Sequence, residues 1–335
     1  MGNRSTTGRR TAPVLIAGAL LLLVARDGLS RADAAPAQKF RFGTLPGTTE
    51  FILFVMERER FLQQEGVELE KVRVLNPAPL HTLLVERKVD VGYAGFSAMA
   101  VARAQGRDMV VIFGVNSPAN VVVVPKASPV RTVADLRGKK IGLFGGPGAM
   151  TSAMLFVIGK RWHGIDLQKE AELVTAPGPA LAGFLEKGQV DAALVGTTES
   201  ITFPLTGKYR VLLDIGKEWE ARKGRAPATV TFGTNEAFAR EHGEALRAFL
   251  RAYVRAVEHV RRNPAIWREY AGQIKVTSEE AIRAMQTRWS EAYLDRWDRE
   301  QIEVQMDFLQ AAVEVLGPRF LRAIPKGLVR TDFVP

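Results

Sequence analysis

The chain has 335 residues, with 46 Lys and Arg against 36 Asp and Glu, a formal net charge of +10, and no cysteine. The missing thiol excludes disulfide scaffolds, thiolate metal sites, iron–sulfur clusters and cysteine nucleophiles. An apolar fraction of 47% and a charged fraction of 24% are typical of a globular protein. At about 150 residues per domain, the length predicts roughly two domains.

The first 34 residues have the organisation of a secretory signal peptide. Arg4, Arg9 and Arg10 precede an apolar or small run from Ala12 to Ala25, and residues 32–34 follow with a small-x-small pattern. The run is shorter than the ~20 residues that a membrane-spanning helix needs. We therefore expect cleavage after residue 34 and a periplasmic location, with a permanent membrane helix as the weaker alternative.

The positive charge is spread along the chain. Lys and Arg alternate with Glu, as in Glu57–Arg60, which is typical of solvated helix faces. Nucleic-acid binding usually needs clustered basic residues with aromatic partners, so no nucleic-acid partner is expected.

An internal repeat is the most informative feature of the sequence. The segment Leu84–Gly95 aligns with Leu185–Gly196, and the leucine, the Val-Asp pair and the final glycine match at a spacing of 101. Upstream, Gly43 corresponds to Gly142, and each glycine leads through a loop into an amphipathic segment. Two related units are therefore predicted.

Each unit alternates short apolar runs with helical periodicity, which predicts two α/β lobes of the parallel βαβ type. The predicted strands are 40–43, 67–74, 89–93, 109–115 and 120–124 in the first unit, and 140–144, 171–174, 190–195 and 210–213 in the second.

The last third of the chain reads as a strand followed by helices. The strand is predicted at 228–232, and the helices at 236–262, 264–271, 278–294 and 298–316. We expect this tail to return to the first lobe and pack on it, so that two crossovers form a hinge around a cleft. The predicted division is a signal peptide at 1–34, lobe one at 35–125, lobe two at 126–226, and lobe one again at 227–335.

Catalytic motifs are missing from the sequence. The four histidines, at 81, 163, 242 and 259, lack metal-ligand spacing, and surface or capping roles are expected for all of them. The sequence has no nucleophile elbow and no Walker pattern. Neither a catalytic residue, a metal nor a cofactor is expected.

Four loops that follow strands carry small and hydroxyl residues, at 46–49, 95–97, 145–152 and 196–199. Ligands of parallel α/β sheets bind at the carboxyl ends of strands, where free N–H groups and hydroxyls are available. Helix capping is the alternative role for any single residue. The candidate ligand-binding residues are Gly47, Thr48, Thr49, Phe96, Ser97, Asn116, Ser117, Gly148, Met150, Thr151, Thr197, Thr198 and Glu199.

The segment Thr132–Gly142, together with the repeated Val-Asp elements, resembles the nitrate, taurine and aliphatic-sulfonate class of periplasmic solute-binding proteins of ABC importers. The resemblance covers essentially the whole mature chain. It implies a bilobed receptor of the type II periplasmic-binding fold, which closes on a small molecule and delivers it to an ABC permease.

The predicted binding loops contain no Arg or Lys, so we expect a monoanionic or aromatic acid held by amide donors in preference to a dianion. An enzyme on the same fold, acting on a small heterocycle or sulfur compound, is the alternative, since the class includes a pyrimidine precursor synthase and a desulfinase. A sensory receptor is a further alternative.

Overall fold

A computed structural model describes residues 37–335, and the predicted signal peptide lies outside these residues. The strands are β1 Gln38–Thr44, β2 Val67–Arg73, β3 Val91–Gly95, β4 Met109–Asn116, β5 Val121–Pro125, β6 Lys140–Leu143, β7 Glu172–Thr175, β8 Ala192–Leu194, β9 Tyr209–Asp214 and β10 Val230–Asn235. The helices of the first two thirds are α1 Thr48–Arg58, α2 Phe61–Gln64, α3 Pro77–Val85, α4 Phe96–Ala104, α5 Met150–Trp162, α6 Leu167–Glu170, α7 Gly178–Glu186, α8 Glu199–Leu205 and α9 Ile215–Lys223, with a 3₁₀ turn at Ala134–Leu136. The remaining helices are α10 Glu236–Glu241, α11 Gly243–Arg262, α12 Ala265–Gln273, α13 Glu279–Ala292 and α14 Arg299–Leu316.

The strands form two five-stranded sheets with the same internal order. The first sheet is β2-β1-β3-β10-β4 and the second is β7-β6-β8-β5-β9. In each sheet the first three strands are parallel, and the fourth runs antiparallel to both of its neighbours. The α/β architecture of two related lobes that the sequence predicted is therefore confirmed.

The two sheets exchange one strand. The sequence predicts β5 in the first unit, but β5 pairs with β8 and β9 of the second sheet, and β10 takes the equivalent place in the first. The chain thus crosses between the sheets at 117–120 and again at 224–229. Four consecutive valines make β5 a strand that can be buried on both faces, which suits an interior position in either sheet.

The C-terminal helices differ from the prediction in two ways. The single helix predicted at 236–262 is broken at His242, where the backbone leaves the helical region just before Gly243. Helices α11 and α12 pack on the first lobe as expected, whereas α14 packs against α5 of the second lobe. The buried face of α14, which includes Phe308 and Leu309, needs an apolar partner, and α5 supplies one.

Candidate functional site

The carboxyl ends of the parallel strands of both sheets border one cleft. Loops after β1, β2, β6, β7 and β8 line it, together with the ends of β3 and β4 and the start of β10. The cavity in this cleft has a volume of about 390 Å³, which is within the range of small-molecule binding sites.

Nine of the thirteen sequence-predicted residues line this cavity. They are Gly47, Thr48, Thr49, Asn116, Met150, Thr151, Thr197, Thr198 and Glu199.

The other four predicted residues lie elsewhere. Phe96 and Ser97 are buried in the first turn of α4, because Gly95 takes the position that faces the cavity. Ser117 donates its backbone N–H to the carbonyl of Ala292, which ties it to the end of α13. Gly148 is exposed on the outer side of its loop and contributes to a separate surface depression.

The loops that follow β2 and β7 also line the cavity, although they were not among the predicted binding loops. Leu75 and Pro77 line the cavity from the first lobe, and Pro177, Gly178 and Pro179 line it from the second. The internal repeat was the available signal, because α3 and α7 begin 101 residues apart, at Pro77 and Gly178. His81, Asn120 and Phe144 were also missed.

The two lobes touch each other at the edge of the cavity. A Cβ built on Gly47 would lie 2.6 Å from Oγ1 of Thr197, and one on Gly95 would lie 3.4 Å from Cβ of Met150. Gly47 also has a φ of +92°, a conformation that favours glycine. The cleft is therefore closed, and the absence of a side chain at Gly47 permits the approach.

The C-terminal end of α13 holds one loop from each lobe. The indole Nε1 of Trp289 donates to the carbonyl of Thr197 at 3.4 Å, and the hydroxyl of Tyr293 donates to the carbonyl of Thr48 at 2.5 Å. Burial raises the pKa of Tyr293 well above its ordinary value, so the phenol remains a donor. A single element thus positions two loops that face each other.

His81 is a neutral member of the cavity wall, in contrast to the surface or capping role expected for it. Its Nε2 accepts the backbone N–H of Gly95 at 3.1 Å. Burial lowers the pKa of His81 to about 4, so the imidazole is uncharged at neutral pH. Because Nε2 is the acceptor, the proton of the neutral ring lies on Nδ1.

Glu199 is the acidic group of the cavity. Burial raises the pKa of its carboxyl, and the backbone N–H of the same residue partly offsets this effect. No Lys or Arg lines the cavity, and among residues 37–335 no basic side chain forms an ion pair with Glu199. The remaining wall is largely apolar and includes Leu45, Pro46, Leu75, Pro77, Phe144, Met150, Pro177 and Pro179.

Within the described part of the chain, no cluster of three or more His, Asp or Glu side chains is arranged to hold a metal ion. Nor does any helix between residues 37 and 335 combine the length and apolar character needed to cross a bilayer. The cavity offers hydroxyls, two side-chain amides, one neutral imidazole and one carboxylate. This set can bind and orient a molecule by hydrogen bonds.

A family model described as NMT1/THI5 like matches residues 48–266, well over half of the chain. The chain belongs to the NMT1/THI5-like family. Among solved structures, the alkanesulfonate-binding protein SsuA from Xanthomonas axonopodis pv. citri, bound to MOPS, superposes with a TM-score of 0.73 at 20% identity, covering 89% of this chain and 100% of that one. The periplasmic-binding fold that the sequence predicted is thus confirmed.

Two curated relatives of this NMT1/THI5-like chain match it over part of their length. The putative aliphatic sulfonates-binding protein of Escherichia coli is 33% identical over 129 residues, which is 38% of this chain and 39% of that protein. The 4-amino-5-hydroxymethyl-2-methylpyrimidine phosphate synthase THI12 of Saccharomyces cerevisiae is 22% identical over 240 residues, 65% of each chain. The chain thus spans less than two thirds of the length of either relative.

Proposed function

We propose that this protein is an extracytoplasmic solute-binding receptor of an ABC importer. It captures a small molecule between its lobes and delivers it to a membrane permease. The observation that carries this proposal is a cavity of about 390 Å³ that is bordered by loops of both lobes, which touch at Gly47 and Thr197. An SsuA of the same fold, which binds alkanesulfonates, supports it.

Ligand capture works through the two crossovers at 117–120 and 224–229. These segments are short enough to act as hinges, and the loops on each side move with their own sheet. A ligand that bridges the two lobes binds the closed form better than the open form, and shifts the population toward it by that difference in affinity. The permease then binds the closed form of the receptor.

The periplasmic location and the permease partner follow from the same proposal. They rest on the signal-peptide pattern of residues 1–34 and on the likeness to receptors of this type. The sequence also favoured an anionic or aromatic acid as ligand. Glu199 weakens the anionic part of that expectation, because a cavity carboxylate with no basic partner in the described part of the chain repels an anion.

Small-angle scattering combined with mass spectrometry tests the proposal. Protein purified from its native host should carry a small molecule, and removal of that molecule should increase the radius of gyration as the lobes separate. Adding it back should restore the compact form. Identical scattering curves with and without the molecule would count against a receptor that closes on its ligand.

An enzyme on the same fold is the second candidate. The match to a pyrimidine phosphate synthase favours it. If the protein is a receptor, the molecule recovered after prolonged incubation is unchanged, whereas an enzyme releases a product of different mass.

A further inference from the structure

We propose that the cleft selects a ligand with an amidine-like edge, meaning two adjacent N–H donors on a planar nitrogen base, and that Glu199 accepts this edge with both carboxylate oxygens. The inference rests on the proposed receptor function and names the ligand class of that site. It follows from three features of the cavity: a carboxylate without a basic partner among residues 37–335, two amide side chains with an unpaired oxygen, and apolar walls.

The Glu199 carboxylate lies between two glycines, Gly178 and Gly196. A Cβ on Gly178 would lie 2.6 Å from Oε1, and a Cβ on Gly196 would lie 2.6 Å from Oε2. A side chain at either position would have to displace the carboxylate, which lies against the backbone of two cavity loops. A carboxylate is suited to bidentate hydrogen bonding with two parallel N–H groups.

Two amide side chains flank the first crossover, because Asn116 ends β4 and Asn120 precedes β5. Asn116 is 1% exposed, and its Nδ2 donates to the carbonyl of Ser117 at 2.9 Å and to Oγ1 of Thr229 at 3.4 Å, which leaves Oδ1 buried and unpaired among residues 37–335. Asn120 is 5% exposed, and its Nδ2 donates to the carbonyl of Val195 at 2.8 Å, which leaves Oδ1 and the second N–H without a partner among residues 37–335. Both residues line the cavity.

This composition favours a donor ligand over an anion. Leaving a buried acceptor unpaired is unfavourable, so a ligand that supplies N–H groups gains affinity by pairing it. A sulfonate or carboxylate would instead face Glu199 without any Lys or Arg among the lining residues to neutralise it. The proline and phenylalanine walls suit the faces of a planar ring.

Calorimetric titration with two probes of equal shape and opposite charge tests this inference. Benzamidine carries the amidine edge, and benzoate replaces that edge by a carboxylate on the same ring. We expect benzamidine to bind the wild-type protein at least tenfold more tightly than benzoate. Glu199→Gln should weaken benzamidine binding at least tenfold and reduce the preference over benzoate.

The matched control is Glu220→Gln. Glu220 on α9 is also a carboxyl whose pKa is raised by burial, but it does not line the cavity. It should leave both affinities unchanged, and circular dichroism should show that both variants fold. The inference is overturned if benzoate or methanesulfonate binds more tightly than benzamidine, and the receptor function then stands. If neither these probes nor a broad metabolite panel binds, both proposals fail.

Discussion

Asp90 and Asp191 accept equivalent hydrogen bonds in the two halves of the molecule. Oδ2 of Asp90 accepts the backbone N–H of Arg41, and Oδ2 of Asp191 accepts that of Lys140, both at 2.8 Å. Each aspartate precedes one central strand, β3 or β8, and holds the backbone of the neighbouring strand, β1 or β6. The repeated Val-Asp element is therefore a structural clamp for the sheets.

Removing either clamp should reduce stability, and the loss should be larger in the first lobe. Asp191→Ala removes one hydrogen bond to a backbone N–H, worth about 1 kcal/mol. Asp90→Ala also removes the Arg41 ion pair, whose Nη2 lies 2.5 Å from Oδ1, so we expect about 1 kcal/mol more. Urea unfolding measures both losses. Asp307→Ala, an exposed control, should change little, and a loss for Asp90→Ala no larger than for this control would contradict the clamp.

Gly47→Ala should weaken ligand binding by keeping the lobes apart. The new Cβ would lie 2.6 Å from Thr197 Oγ1, at a residue whose φ of +92° already disfavours a side chain. Gly66→Ala is the control, since Gly66 also has a positive φ but has no atom within 4 Å of the added Cβ. Both variants should be less stable, but only Gly47→Ala should lose affinity in calorimetry.

A double variant separates the collision from backbone strain at Gly47. Thr197→Ala removes the hydroxyl that the new Cβ would meet, so Gly47→Ala/Thr197→Ala should regain part of the lost affinity. If the double variant binds no better than Gly47→Ala alone, contact between the two lobes is not the cause.

Tyr293→Phe should reduce both stability and affinity. The variant removes a buried hydrogen bond to the Thr48 carbonyl, which is worth about 1 kcal/mol. Tyr209→Phe is the matched control, because its hydroxyl bonds to the carbonyl of Ala182 at 3.3 Å, away from the cavity. Thermal unfolding and titration together test this. An unchanged affinity in Tyr293→Phe would show that the hydrogen bond from Tyr293 to Thr48 does not contribute to ligand binding.

The His81 imidazole should make stability depend on pH between about 4 and 6.5. The folded pKa is lowered from 6.5 to about 4, so in this window the unfolded chain binds more protons than the folded one. Stability therefore rises with pH, by up to about 1.4 kcal/mol per pH unit from this group. His81→Gln retains an acceptor for the N–H of Gly95 but does not titrate.

Urea unfolding at several pH values should give a shallower slope for His81→Gln than for the wild type. His242→Gln, which replaces an exposed histidine, is the comparison variant. Equal slopes for the wild type and His81→Gln would show that His81 is not buried as a neutral base.

Glu199→Gln should stabilise the ligand-free protein at neutral pH while it weakens binding of a donor ligand. Burial raises the folded pKa of Glu199, so the folded state holds its proton more tightly and stability falls as pH rises above 4.5. The neutral amide does not carry this penalty. A lower melting temperature for Glu199→Gln at pH 7 would contradict this account.

The sequence by itself determined the repeat, the α/β pattern and most of the loops at the cavity. Strand positions and the amphipathic face of α11 follow from local periodicity, and glycines mark where β1 and β6 turn into loops. Nine of thirteen candidate residues line the cavity for this reason, since the ends of parallel strands meet at one edge of a sheet.

Only the tertiary structure decided the exchange of β5 and β10, the packing of α14 on α5, and the surroundings of His81 and Glu199. Each depends on contacts between residues far apart in the chain, which no local pattern encodes. Phe96 and Gly95 are neighbours in sequence, yet one is buried and the other faces the cavity, because the direction in which α4 leaves β3 decides between them. The charge of a cavity likewise depends on which side chains fold around it.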